Sequence, residues 1–122
     1  MEIINITNKT TTPEQLKAGI IEPTEAEQAE IRRLLSFDFL PYAEDLRDRA
    51  FIISRIARNY ECGYAMIDGP AFLIPDLEYA MFEEWRVPVY PFYVRTTLSE
   101  DVSKDKFTHT GFVSQENKKH NT

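Results

Sequence analysis

The stretch DGPA, residues 68–71 within AMIDGPAFLIPDLEYAMFEEW, has the composition of an anion-binding corner. A short apolar run ends there and a helical pattern begins at once. Gly69 lets the backbone approach a ligand closely, and the free N–H groups of Ala71 and Phe72 would open a helix whose positive end attracts anions. The Phe72 ring is suited to lying against a base or a ribose. The alternative is structural: Gly69 and Pro70 merely form a tight turn, and Phe72 caps the core.

Two further positions are candidates for contact with the same ligand. Thr7 and Asn8 follow an apolar N-terminal run, and ligands of open α/β sheets bind beyond the carboxyl ends of the strands. Arg95 ends the aromatic run VYPFYVR beside Thr96 and Thr97, where a guanidinium and hydroxyls would clamp a phosphate. An ordinary surface ion pair explains Arg95 equally well.

Catalysis finds little support in the sequence. His109 stands between two threonines in FTHTGFV, and no partner nucleophile or carboxylate is recognisable for it. It is interpreted as a sheet histidine; the functional alternative is a hydrogen bond from this segment, His109 and Thr110, to a phosphate or a ribose. Cys62 has no nearby histidine, and the G-x-S-x-G, G-x-G-x-x-G and P-loop motifs are absent. We therefore expect no catalytic residue, no cofactor and no metal site.

The composition limits the classes of partner. One cysteine and two histidines exclude a disulfide framework and a Cys/His zinc cluster. Fourteen basic against twenty acidic residues give a net charge of −6, which disfavours binding to a nucleic-acid polymer but not a small anion in one positive pocket. The six arginines of IRRLL and LRDRAFIISRIAR are interpreted as solvated helix faces. No apolar run is long enough to span a membrane, and no signal peptide is recognisable, so we expect a soluble cytosolic protein.

Alternating strand and helix signals predict a small α/β fold. Its sheet is expected to be Rossmann-like, of about four strands, mostly parallel with an antiparallel C-terminal hairpin, and flanked by helices. One domain is predicted over 1–114, followed by a polar tail over 115–122. Thr12 and Thr24 are predicted to cap the first two helices, each with a capping box. Two prolines place the strand over 87–97 at a sheet edge or require a bulge in it. The predicted strands are 2–7, 64–68, 87–97 and 106–113; the predicted helices begin after Thr12 and span 24–35, 43–61 and 72–85.

Four segments together resemble one known family. They are NITNKTTTPEQLKAGII, MIDGPAFLIPDLEYAM, YPFYVRTTLSE and FTHTGFV, and the similarity runs from residue 2 to about residue 114. The chain is similar in these segments to the first type of phage anti-Thoeris sponge, a family that itself resembles small CRISPR-associated ring-nuclease-like proteins. Relatives more often read Gly-Gly-Ala-Pro where this chain has residues 68–71, and many have histidine where Lys9 stands.

The resemblance implies a binding protein and no enzyme. Bacterial TIR-domain enzymes make cyclic ADP-ribose isomers as alarm signals, and a sponge holds those isomers, uncleaved, in the cytoplasm of the infected host. Some members of the family also take up cyclic oligonucleotides. Slow release favours a homo-oligomer with pockets at subunit interfaces, and the aromatic strand over 87–97 is a candidate interface. The predicted ligand-binding residues are Thr7, Asn8, Gly69, Pro70, Ala71, Phe72, Phe92, Arg95, Thr97, His109 and Thr110.

Two other functions remain open from the sequence. A ring nuclease that opens cyclic oligoadenylate would position a ribose 2′-hydroxyl against its own phosphate, so it would need no obvious nucleophile. Arg95 or His109 would then stabilise the transition state. The third possibility is a protein-interaction module that uses the aromatic strand.

Overall fold

The computed structural model describes residues 2–96 and 106–114, with side chains described over 2–90 and 112–114. Strands and helices alternate along most of the chain, as predicted. The elements in chain order are β1 (Ile3–Asn5), α1 (Pro13–Lys17), β2 (Ile20–Ile21), α2 (Glu25–Leu34), α3 (Ala43–Arg58), β3 (Tyr64–Met66), α4 (Ile74–Glu83), β4 (Val87–Thr96) and β5 (Lys106–Val113).

The strands form a five-stranded mixed sheet in the order β2-β1-β3-β4-β5. The first four strands are parallel, and β4 and β5 form an antiparallel pair at the C-terminal end. The predicted α/β class, with a mostly parallel sheet flanked by helices, is confirmed. β2 was not anticipated, because its two residues are too few to show a strand period. The single domain over 1–114 stays a prediction, and the tail over 115–122 lies outside the described residues.

Local signals set the starts of the first two helices. The Thr12 side chain accepts a hydrogen bond from the Gln15 amide, and the Gln15 side chain accepts one from the Thr12 amide, which is the predicted capping box. Thr24 and Glu27 form the same pair at the start of α2. α3 ends at Arg58, earlier than predicted.

The core lies mainly on one face of the sheet, under α2, α3 and α4. These helices bury their apolar faces against β1 and β3, and α4 contributes Leu77, Ala80 and Met81 to this core. The opposite face carries a smaller cluster, in which the buried Gln15 side chain of α1 reaches the Met66 sulfur at 3.9 Å. The smaller cluster is formed by Ile3, Ile20, Met66 and Val89, with Tyr64 and Phe112 packed against it.

β4 is an interior strand in the sheet order, so the expectation that it lies at an edge is wrong. A register shift falls between Phe92 and Tyr93, but the additional residue, Thr110, lies in β5, so the bulge predicted for the strand over 87–97 is not in that strand. β3 pairs only with the first part of β4, as far as Val89, whereas β5 pairs with Tyr90 onward. The hairpin of β4 and β5 therefore continues past the carboxyl end of β3.

No helix in the described part of the chain combines the length and the apolar character needed to cross a membrane.

Candidate functional site

The connections of β1 and β3 create a crevice at the carboxyl ends of these two strands. From β1 the chain passes through α1 to β2 on one side of the sheet order, while β3 lies on the other side of β1. Such a reversal of direction is where open α/β sheets bind ligands, because the two loops diverge and leave a gap between them. The loop after β1 contains Thr7 and Asn8, and the corner after β3 is residues 68–71, so both predicted segments meet at this gap.

Asn5 shapes the loop after β1 from inside. It is only 2% exposed, and its side-chain oxygen accepts hydrogen bonds from the Thr7 amide (2.9 Å) and the Thr7 hydroxyl (2.7 Å). Its amide nitrogen lies 3.0 Å from the Lys9 carbonyl oxygen, 3.1 Å from the Thr11 hydroxyl and 2.8 Å from a Glu22 carboxylate oxygen. Thr7 is therefore buried, and its amide and hydroxyl are both used in hydrogen bonds that hold the loop. Asn8 is exposed.

Lys9 and Asp68 join the two loops across the crevice. The Lys9 ammonium lies 2.6 Å from Asp68 Oδ2, and the Gly69 amide donates to Asp68 Oδ1 at 2.8 Å. Both oxygens of this carboxylate thus have a donor. The backbone amide of Gly69, one of the groups expected at the site, is already engaged within the chain.

The corner itself differs in one respect from the prediction. α4 begins at Ile74, and residues 71–73 form a turn in which Leu73 donates to the Pro70 carbonyl. The amides of Ala71 and Phe72 thus precede the helix instead of opening it. Gly69 has φ +151°, a conformation that L side chains rarely adopt, and a Cβ there would lie 3.2 Å from Leu35 Cδ2.

Phe72 belongs to an aromatic cluster on the surface beside the corner. It is 50% exposed, so it does not cap the core, and it packs edge-on against Phe37 with 5.1 Å between ring centroids. Phe39 packs against Phe37 in turn. The Arg49 guanidinium lies 4.4 Å from the Phe37 ring centre and donates to the carbonyls that end α2. The corner after β3 thus carries an exposed ring that packs on one neighbouring ring and leaves about half of its surface open for stacking.

A polar depression of about 50 Å³ lies beside the loop after β1, towards β2; Thr7 and Asn8 line it, and the predicted site residues 69–72 do not. Arg32 of α2 lines it, and its guanidinium makes no hydrogen bond or ion pair with residues of the described ranges. A volume of about 50 Å³ is far below the roughly 300–1,000 Å³ of ordinary small-molecule sites. A nucleotide therefore needs further walls. The other lining residues are Asn5, Thr7, Asn8, Lys9, Thr10, Glu22 and Gln28.

Tyr90 follows Val89, the last residue of β4 that pairs with β3. Burial, a hydrogen bond to the Glu78 carboxylate and the negative charges of Glu78 and Asp68 all raise the pKa of the Tyr90 phenol. The phenol therefore stays neutral at physiological pH and adds no negative charge near Asp68.

The remaining predicted residues lie on the hairpin. Phe92 is opposite Gly111, Arg95 is opposite Phe107, and His109 is opposite Tyr93, while Thr110 follows in β5. Their side chains, and all of Thr97, lie outside the part that the structure describes, so their roles stay predictions. Arg95 comes six residues after Val89, which is about 20 Å along an extended strand. Arg95 is thus remote along the strand from the end of β3.

A second cavity, of about 480 Å³, lies between α3 and α4. Its walls include Phe51 and Tyr79, four carboxylates and Arg47. None of its lining residues comes from the loops after β1 and β3, and its excess of negative charge disfavours an anionic ligand. The four carboxylates are those of Asp48, Asp76, Glu83 and Glu84.

The sequence predicted which two loops lie at the carboxyl ends of β1 and β3. It did not predict the side-chain contacts of Asn5 within the first loop or the ion pair of Lys9 with Asp68 between the loops. Asn5 could have been identified from the sequence, because a polar residue within the apolar strand EIINIT needs hydrogen-bond partners inside the protein when it is buried. Lys9 and Asp68 were noticed only as departures from a motif. Within residues 2–96 and 106–114, no group of three His, Cys, Asp or Glu residues is placed to hold a metal ion. No protein-family model, curated protein or solved structure matches the chain.

Proposed function

We propose that the chain binds cyclic ADP-ribose isomers in this crevice and holds them uncleaved, as a phage sponge in the cytoplasm of the infected host. The observation that carries the proposal is the position of Lys9 and Phe72, a basic group and an exposed ring, on the two loops that meet at the reversal point of the sheet. A phosphate and a base are the two parts of a nucleotide that such a pair recognises. The resemblance of the sequence motifs to the sponge family supports the same ligand class.

The described side chains favour retention over chemistry. Burial raises the pKa of the Cys62 thiol, which lowers the fraction of reactive thiolate. The Thr7 hydroxyl, which lines the polar depression, already donates to Asn5 and accepts from the Lys9 amide, so it is not positioned as a nucleophile. We therefore propose binding without cleavage, and possible ligands extend to cyclic oligonucleotides.

The size of the depression leads to the quaternary part of the proposal. A dinucleotide-sized ring exceeds a space of about 50 Å³, so walls must come from beyond the crevice. We propose that a second copy of the chain supplies them, in a homo-oligomer with pockets at its interfaces. Enclosure between two chains would slow release, which a sponge requires to keep a signal from its receptor.

The decisive experiment asks whether the ligand survives. The protein is incubated with a cyclic ADP-ribose isomer, separated from free ligand, denatured, and the released material is analysed by chromatography. The expected result is intact ligand in stoichiometric amount. A linear product would contradict the proposal. A linear product from cyclic tri- or tetra-adenylate instead would favour the ring nuclease, and no thermal shift with any nucleotide would favour the interaction module.

Matched variants localise the binding. Phe72→Ala should weaken binding on the order of 10-fold, because it removes a stacking surface worth about 1–3 kcal/mol per base. Phe82→Ala removes a similarly exposed ring from the far end of α4 and should leave affinity unchanged. If Phe72→Ala and Phe82→Ala weakened binding equally, the ligand would have to bind outside the crevice.

A further inference from the structure

The Asp68 carboxylate is held in the way that proteins hold small anions. One oxygen faces the Lys9 ammonium at 2.6 Å, and the other accepts the Gly69 backbone N–H at 2.8 Å. An ammonium and a backbone N–H are also the donors that a phosphate oxygen takes at such loops. The carboxylate and a ligand phosphate would therefore require the same two donors.

We propose that Asp68 is a built-in competitor that occupies the anion position of the crevice, so that a phosphate-bearing ligand binds only by displacing it. This inference rests on the proposed function for its ligand class, and it makes Asp68 a specificity-determining residue. The consequence is selection against simple phosphates. Inorganic phosphate and pyrophosphate would bind only the Lys9 ammonium and the Gly69 amide, which Asp68 already occupies. The negative charge of Asp68 would also repel them. A nucleotide gains the Phe72 ring in addition.

Displacement of Asp68 is physically feasible because the pair is not locked in the core. The Lys9 side chain is 61% exposed and the Asp68 side chain 33% exposed, so water can solvate both groups as they separate. The long stem of Lys9 allows its ammonium to follow a new anion without movement of the loop. The loop itself is fixed by the bonds of Asn5, so the backbone of the site is preformed.

The test uses inorganic pyrophosphate, a probe without a base or a ribose. Calorimetric titration at low ionic strength compares the intact protein with Asp68→Ala, which frees both donors and removes the repelling charge. The expected result is binding of pyrophosphate on the order of 10-fold tighter in the variant. Asp68→Ser, which is also neutral but retains a short hydroxyl, serves as a second variant should the first one fold poorly.

Two controls separate this effect from a general change of charge. Glu61→Ala removes one exposed carboxylate just before the amino end of β3, whereas Asp68 follows the carboxyl end of the same strand. This variant should leave pyrophosphate binding unchanged. The double variant Lys9→Ala, Asp68→Ala should lose most of the gained affinity, because one of the two donors is gone. A gain in Glu61→Ala equal to that in Asp68→Ala would overturn the proposal, as would no gain in either neutral Asp68 variant.

The outcome is independent of the sponge experiment. Pyrophosphate binding that appears on removal of the Asp68 carboxylate supports the competitor even if cyclic ADP-ribose isomers do not bind. Retention of an intact cyclic isomer by the original chain, with no gain of pyrophosphate binding in the variants, supports the sponge and rejects the competitor.

Discussion

The phenol of Tyr60, just past the end of α3, donates a short hydrogen bond to the carboxylate of Glu27 in the first turn of α2. Glu27 also accepts from the Thr24 amide at 3.0 Å and from the Asn59 side chain at 3.0 Å. One carboxylate thus completes a helix cap and joins the start of α2 to the end of α3. Since α2 ends near Arg49 and the aromatic cluster, this contact helps to fix the helix beside the crevice.

Acid should weaken the protein through Glu27. Burial alone would raise the pKa of this carboxyl, but its hydrogen bonds from Tyr60, Thr24 and Asn59 together lower the pKa in the folded state. A lowered folded pKa gives stability that is present above the unfolded pKa of about 4.3 and is lost as the pH falls through the folded value. We expect Glu27→Gln to lower the free energy of unfolding by about 1 kcal/mol at pH 7 and to flatten its fall in acid.

Urea unfolding between pH 7 and pH 3 measures this effect. Glu30→Gln is the matched control on the same helix, because Glu30 pairs with Arg33 at the surface and not with a neighbouring helix of the described chain. The hydrogen bond from Arg33 also lowers the pKa of the Glu30 carboxyl, but solvent screens this exposed pair, so the Glu30 variant should change the acid dependence much less than the Glu27 variant. An acid limb that is equally steep in Glu27→Gln would assign the acid sensitivity to other carboxyls.

The parts of the fold that short-range rules govern were predictable. Thr12 and Thr24 each have a glutamine or a glutamate three residues on, and both capping boxes formed because the interacting atoms lie within one helical turn. The order of the strands depends instead on pairings between distant segments. The prolines of β4 predicted an edge or a bulge. β3 pairs with β4 only as far as Val89 and β5 pairs with it only from Tyr90, so each proline lies where β4 is paired on one side, which only these long-range pairings show.

The same distinction applies to the site. The general rule that ligands bind beyond the carboxyl ends of parallel strands located Thr7, Asn8 and the corner at residues 68–71. The ion pair of Lys9 with Asp68 joins two loops that are far apart in sequence, and no local pattern encodes such a contact. The packing of Phe72 on Phe37 depends in the same way on how α4 and α2 are placed over the sheet.

Trp85 ends α4 at a conformational cost. Its φ of +59° is left-handed, and the Arg86 amide donates to the Met81 carbonyl while the Trp85 amide donates to the Phe82 carbonyl, the bonds of a Schellman motif that normally contains glycine. The side chain is 93% exposed, so its removal loses little burial. Trp85→Gly should raise the free energy of unfolding by about 1 kcal/mol. Trp85→Ala keeps the penalty of a Cβ and should gain much less; a loss of stability in the glycine variant would show that the indole makes a stabilising contact.

Both Asn5→Ala and Asn5→Asp should lower the free energy of unfolding. Asn5→Ala leaves the Thr7 amide and its hydroxyl without their buried acceptor, and we expect a loss of about 2–3 kcal/mol in the free energy of unfolding. Asn5→Asp keeps that acceptor but turns a second oxygen towards the Lys9 carbonyl and the Glu22 carboxylate, where a donor is needed. The aspartate variant should therefore be at least as unstable at neutral pH as the alanine variant, and it should recover in acid. Denaturation of both variants at pH 7 and pH 5 compares them; an aspartate variant of original stability at pH 7 would mean that the loop after β1 rearranges freely.

Gly69 is required at the corner for its backbone conformation more than for space. A Cβ would lie 3.2 Å from Leu35 Cδ2, the far end of a flexible side chain, so that contact can relax by a small movement. The φ of +151° cannot relax without moving Asp68 and the turn that leads into α4. Gly69→Ala should therefore cost about 1–3 kcal/mol of unfolding free energy. A double-mutant cycle with Leu35→Ala separates the two causes, since the smaller side chain removes the close contact and leaves φ unchanged. We expect the cost of Gly69→Ala to be nearly the same in both backgrounds; a cost that disappears in the Leu35→Ala background would assign it to packing instead.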